Sequence, residues 1–163
     1  MAKHKFYKSI WHTKYISKGK TLWEFDKRNA LVDEGEKLLL NTFFRATDVP
    51  TKFYVGLNYG ELNEQSTLIH IANEPSGNGY ARATLERDTV DFPALELDEG
   101  DYQLTTKTLT FSASGGTVGP VNVAFIATST DNSGFLVSFI SMPNTFTISD
   151  GDSVEFTIKI KAM

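Results

Sequence analysis

Three histidines, His4, His12 and His70, are the only imidazoles in a chain of 163 residues that has no cysteine. A nucleophile would have to be a hydroxyl activated by one of those rings, yet no G-x-S-x-G turn is present to expose a serine. His4 and His12 stand at a spacing that matches no zinc motif. His70, between Ile69 and Ile71, reads as a partly buried structural histidine, because apolar neighbours favour the neutral ring. The acidic run "ELDEGD" offers Asp98, Glu99 and Asp101 to a calcium ion, but lacks the alternating ligands and distal glutamate of a dedicated loop. It reads as a solvated turn, as does "SDGDS" around Asp150 and Asp152. The sequence thus names no catalytic residue, no cofactor and no metal ligand. Two acids flanking a sugar, as in a glycan-acting enzyme, stay open as a remote alternative, since sequence does not give a carboxylate separation.

The glycines of "NEPSGNGYAR", residues 73–82, pose a second question. A phosphate-binding loop requires a Lys-Ser/Thr pair after its last glycine and a helix whose amides face the anion. Tyr80 and Ala81 occupy those places, and alternation of strand type follows. Gly77 and Gly79 therefore read as positive-φ positions in a turn. Tyr80 and Arg82 share a strand face beyond it. A guanidinium beside an aromatic ring suits a subunit contact, or else a pairing with Glu86 or another cross-strand acid.

The elements around these residues are mostly strands. "KFYKSIW", "TKYIS" and "TLWEF" are aromatic and β-branched, with a turn at Gly19. "NALVDEGEKLLLNTFFRA" is the one helical stretch, about residues 32–45, with Asn29 or Asp33 as cap and Leu31, Leu38, Leu39, Thr42 and Phe43 as a rough stripe. Gly35 inside it implies close packing or a later start. Short alternating segments then follow at even spacing with Gly, Asn and Asp between them. The last, "SVEFTIKIK", turns Val154, Phe156, Ile158 and Ile160 inward. The expectation is a mainly β, antiparallel, jelly-roll-like sandwich over residues 29–163, with one helix and an extended arm over residues 1–28.

Charge is divided between those two parts. The net charge is -4, but residues 1–28 carry eight Lys or Arg against Glu24 and Asp26, a net of +6, leaving -10 on the remainder. Opposite signs suit head-to-tail attraction between copies, or docking on an acidic partner. Lys5, Lys8, Trp11, Lys14, Tyr15 and Trp23 are the expected partner-binding residues of the arm, which if extended reaches about 90 Å. Interleaved lysines and aromatics also suit single-stranded nucleic acid, but the acidic body argues against it. No apolar run approaches the ~20 residues of a membrane span, and the basic start "MAKHKFYKSI" lacks the continuous apolar stretch expected of a secretory signal.

"TKFYVGLN", "NEPSGNGYAR", "TLTFSAS", "VNVAFIATSTDNSGFLVSFI" and "ISDGDSVEFTIKIKAM", in that order after the helix, resemble small structural proteins of tailed bacteriophages. The resemblance covers about residues 29–163, and "EPSGNGYAR" is its most specific part. It implies a virion protein without catalytic residues, located in the virion after synthesis in the host cytoplasm. The leading expectation is a capsid decoration or cement protein that binds the major capsid protein or other virion proteins, and its own copies as a dimer or trimer. The alternative is a tail-tip, baseplate or fibre-associated structural protein, with host glycan as a further contact.

Overall fold

Alternation from Ser153 to Lys159 leaves Val154, Phe156 and Ile158 without exposure and Lys159 in water; beyond it the expected order breaks, with Ile160 half-buried and Lys161 buried. The same period of two recurs in the strands Tyr7–Ser17 and Leu109–Ser112, whereas Val118–Ala127 and Leu136–Ile148 carry continuous buried runs. The structure, a computed structural model, describes residues 7–162. Its elements are β1 (Tyr7–Ser17), β2 (Lys20–Asn29), α1 (Asp33–Leu40), a π-helical turn (Asn41–Arg45), β3 (Lys52–Asn58) and a 3-10 turn (Leu68–His70). Then come β4 (Ala83–Glu86), β5 (Ala94–Asp98), β6 (Asp101–Thr105), β7 (Leu109–Ser112), β8 (Val118–Ala127), β9 (Leu136–Ile148) and β10 (Ser153–Ala162).

Two antiparallel sheets result, as the sequence predicts. One runs β2-β1-β10-β6-β5, with β7 also paired to β10, and the other runs β4-β3-β8-β9. Their facing side chains form the core. Phe156 meets Trp11 and Phe111 edge-on at 5.8 Å each, and Val55, Leu57, Ile140 and Ile148 come from the opposite sheet. The burial of such rings is a dominant favourable term in folding.

From Tyr7 onward the expected arm is a hairpin inside the sandwich. β1 pairs with β10 from Tyr7↔Ala162 to Ile16↔Ser153, and β2 pairs with β1 on its far side. Trp11 has no exposure, and its Nε1 donates to Ser9 Oγ at 3.1 Å. Tyr15 is nearly as buried, donating its hydroxyl proton to Asp152 Oδ2 at 2.9 Å and accepting from the Ser149 amide at 3.0 Å. An extended arm would leave those rings, and the whole β1-facing edge of β10, in water. The expected partner contacts at Trp11 and Tyr15 are therefore corrected to core contacts. Trp23 is half-buried, stacked on Phe25 at 5.6 Å and tilted against Tyr15 at 5.3 Å.

The helix is shorter than the predicted 32–45, and Asn41–Arg45 continues it with a π-type turn. Neither Asn29 nor Asp33 caps it; Val32 occupies the cap position without a side-chain hydrogen bond. The carboxylate of Glu34 instead accepts from the amides of Leu68 at 3.1 Å and Leu136 at 2.6 Å, tying the first turn to β9. Gly35 permits that approach, since a Cβ there would stand 2.1 Å from the Val137 carbonyl oxygen.

Candidate functional site

The loop 73–82 closes one end of the sandwich. Gly77 and Gly79 adopt φ of 75° and 85°, the turn conformation expected of them. The turn aims Tyr80 and Arg82 back at Glu74. Tyr80 donates to Glu74 Oε1 at 2.7 Å and accepts from the Leu57 amide at 2.8 Å, and burial pushes its hydroxyl above the ordinary tyrosine range. Arg82 grips Glu74 through Nε and Nη2, both at 2.8 Å. Its remaining donors reach the carbonyls of Ser129 and Asp131 and the Asn132 side chain, each at 2.8 Å, and its plane lies 4.9 Å over the Phe125 ring.

Only 3% of the Arg82 side chain is exposed, so both roles expected for it, a subunit contact and a pairing with Glu86, are corrected. Glu86 pairs with Lys52 at 2.7 Å instead. Arg82 is an internal clamp that joins loop 73–82 to the β8–β9 turn, because five donors in a planar fork match a carboxylate and converging carbonyls. Tyr80, stacked on Phe111 at 5.9 Å, is likewise directed inward. The partner Glu74 was legible in "EPSGNGYAR" only as an acid eight residues before the arginine.

His70 is exposed rather than partly buried, and its Nδ1 accepts from the Thr67 amide at 3.0 Å in the 3-10 turn. His12 lies 2.6 Å from Asp26 and 3.5 Å from Glu24 on the outer face of the β1–β2 hairpin. Among the described residues no three His, Asp or Glu converge to hold a metal ion. Asp98, Glu99 and Asp101 form the β5–β6 turn, where Asp98 and Glu99 share the Lys161 ammonium at 3.0 and 3.7 Å. No helix of the described residues is long and apolar enough to cross a membrane. Lys8 and Lys14 lie on β1, Lys14 at 4.0 Å from Glu24, whereas Lys5 falls outside the described residues.

Sequence reasoning missed one further surface. An apolar cleft of about 590 Å3 separates α1 and its π-helical turn from the β5–β6 hairpin. Leu38, Leu85 and Val137 line its floor, Tyr7, Leu104 and Ile160 one wall, and Leu39, Phe43 and Leu95 its rim. Phe43 is 76% exposed and Leu95 67%, with Phe44, Val90 and Leu97 exposed to a similar degree. The charged groups at the rim are engaged locally: Arg87 donates to the Pro50 carbonyl at 2.6 Å, and Asp88 accepts from the amides of Val90 and Asp91. In the sequence these apolar residues resemble core positions; only the lack of a covering strand exposes them. Apolar exposure concentrated this way is a feature of macromolecular contact sites and of ligand-binding grooves.

No curated protein matches the chain. The model of a family described as podophage GP4 fiber I protein gp80 matches residues 30–161. A fibre family favours the expected tail or fibre alternative over capsid decoration. With most of its length matched, the chain belongs to the podophage GP4 fiber I protein gp80 family and is a structural protein of the phage virion.

Proposed function

We propose that this chain is a fibre-associated structural subunit of the phage tail, which attaches to an adjacent fibre protein and does no chemistry of its own. The observation that carries this reading is the fibre-family match over residues 30–161. The structure adds two features suited to the role. Loop 73–82 is clamped by Arg82 into a closed sandwich end, which gives a stiff module. The cleft rim holds Phe43 and Leu95 in water, where burial in a contact would be favourable by roughly 25 cal/mol per Å² of apolar area.

Labelling of purified particles with an antibody to the chain, imaged by electron microscopy, tests the reading. Label on tail fibres supports it. Label distributed over the head would instead restore the decoration reading.

A further inference from the structure

The exposed apolar side chains around the cleft form one continuous strip. Leu39 and Phe43, one helical turn apart, and Leu95 of β5 stand around the same opening. Phe44 extends the strip on the helical side, its ring 4.9 Å from that of Phe43. Strand register extends it on the other side. Leu95 sits opposite Leu104, which also lines the cleft, and Leu97, on the same face of β5, sits opposite Tyr102. Leu97 is 66% exposed and Tyr102 61%. Side chains of this size, exposed to this degree, together present on the order of 800 Å². That exceeds the ~300–600 Å² of the largest patch on an ordinary monomer, and it matches the ~800 Å² that each partner of a stable complex covers.

We infer that a second copy of this chain covers the strip, bound face to face across a two-fold axis. The inference rests on the fibre reading in taking the cleft as a contact surface, and it names the partner. The strip holds a projection, the Phe43–Phe44 pair, beside a recess, the cleft itself. A two-fold axis between them seats each copy's rings in the other's recess, so both strips are covered at once. A heterologous contact would need a second apolar surface of similar area elsewhere. Away from the cleft, the large apolar residues in water are Leu22 on β2, Tyr59 after β3 and Ile69 in the 3-10 turn, each on a separate element. Arg87 and Asp88, the charged residues of the lining, are already bonded to backbone groups, so closing the face leaves neither without a partner.

The test is sedimentation of the purified full chain over a range of concentrations, with folding followed by circular dichroism. The unmodified chain is expected to form a dimer that persists at high salt, because salt screens charges and not apolar contacts. Phe43→Asp and Leu97→Asp are each expected to keep the native melting transition and lose at least tenfold in association constant. The two substitutions sit on separate elements, so either decides if the other unfolds. Leu22→Asp and Ile69→Asp should associate as the parent does.

A monomer, a trimer or an open series of larger species would overturn the inference. So would cleft variants that associate like the parent, or an equal loss in the Leu22 and Ile69 variants. A monomeric chain whose Phe43 and Leu97 variants are missing from purified particles would assign the cleft to another virion protein instead. The two readings fail separately: antibody label on the tail fibres stands with a monomer, and a dimer stands with label on the head.

Discussion

Arg82 and Glu74 face each other as a bidentate pair, Nε to Oε1 and Nη2 to Oε2, both at 2.8 Å. The glutamate is 23% exposed and the arginine 3%, so the positive partner is the one withdrawn from water. Removing the carboxylate leaves a guanidinium buried with only carbonyls and one amide around it. Glu74→Ala is therefore expected to cost about 3–5 kcal/mol, the range for breaking a buried pair. Arg82→Lys should not rescue the site, because an ammonium has neither the fork nor the planar face over Phe125. Urea unfolding of both variants checks this, and a loss below about 1 kcal/mol for either would remove the clamp from the account of stability.

The hairpin gives a second expectation. Trp11→Ala should destabilise the fold by about 3–5 kcal/mol, as truncations of buried rings do, and equally at low and high salt. Deletion of residues 2–20 should leave an unfolded or aggregating chain instead of a soluble body. Circular dichroism with thermal melting distinguishes the cases. A deletion product with native β signal and an unchanged transition would return these residues to the status of an arm.

Gly35 tests the seating of α1. A methyl group placed there meets backbone, the Val137 carbonyl at 2.1 Å, so the helix has to lift from β9. Gly35→Ala is expected to lose about 1–3 kcal/mol through overpacking, although alanine is the better helix former by about 1 kcal/mol. A gain in melting temperature would show that α1 rides higher on the sheet.

Asp91 predicts a pH dependence. Its carboxylate receives the Lys107 ammonium at 2.7 Å and the Glu86 amide at 2.7 Å, and these two interactions, the lysine's first, hold it below the usual carboxylate range. A depressed folded pKa adds stability that is complete above the unfolded value of about 3.9 and is lost as pH falls through the folded one. Asp91→Asn should thus lower the melting temperature at neutral pH, and the gap to the parent chain should narrow below about pH 4. A gap independent of pH would indicate lost packing instead of lost charge.

At the cleft, exposed residues separate assembly from folding. Phe43→Ser and Leu95→Ser should change stability by no more than about 0.5 kcal/mol, as surface changes do, while reducing the chain retained in purified particles. Full retention would exclude the cleft as a contact.

Side-chain period made most of the fold legible. The alternation of Val154, Phe156 and Ile158 predicts both the strand and its buried face, and the glycine turn at Gly77 and Gly79 stands where composition places it. What period cannot convey is which edge a strand joins. "KFYKSIW" reads as β equally well in an arm or in a sheet, and only the pairing with β10 decides. The same gap hides the cleft, since Phe43 and Leu95 differ from core residues in nothing but the absence of a neighbour. Arg82 was visible as a residue of interest, but its partner is fixed by a turn whose path a linear pattern does not trace.

The pairing of β1 with β10 bears on where this protein begins as a cooperative object. Family resemblance starts at residue 30, yet β10 is matched along its length by residues 7–16, which precede that point. A fragment trimmed to the shared region would be a vessel with one stave removed, its seam open from Ser153 to Ala162. Any strand able to present small and aromatic side chains in the order of Ser9, Trp11, Thr13 and Tyr15 would fit that seam. The span matched by the family model and the span that folds together thus differ at the N-terminal side.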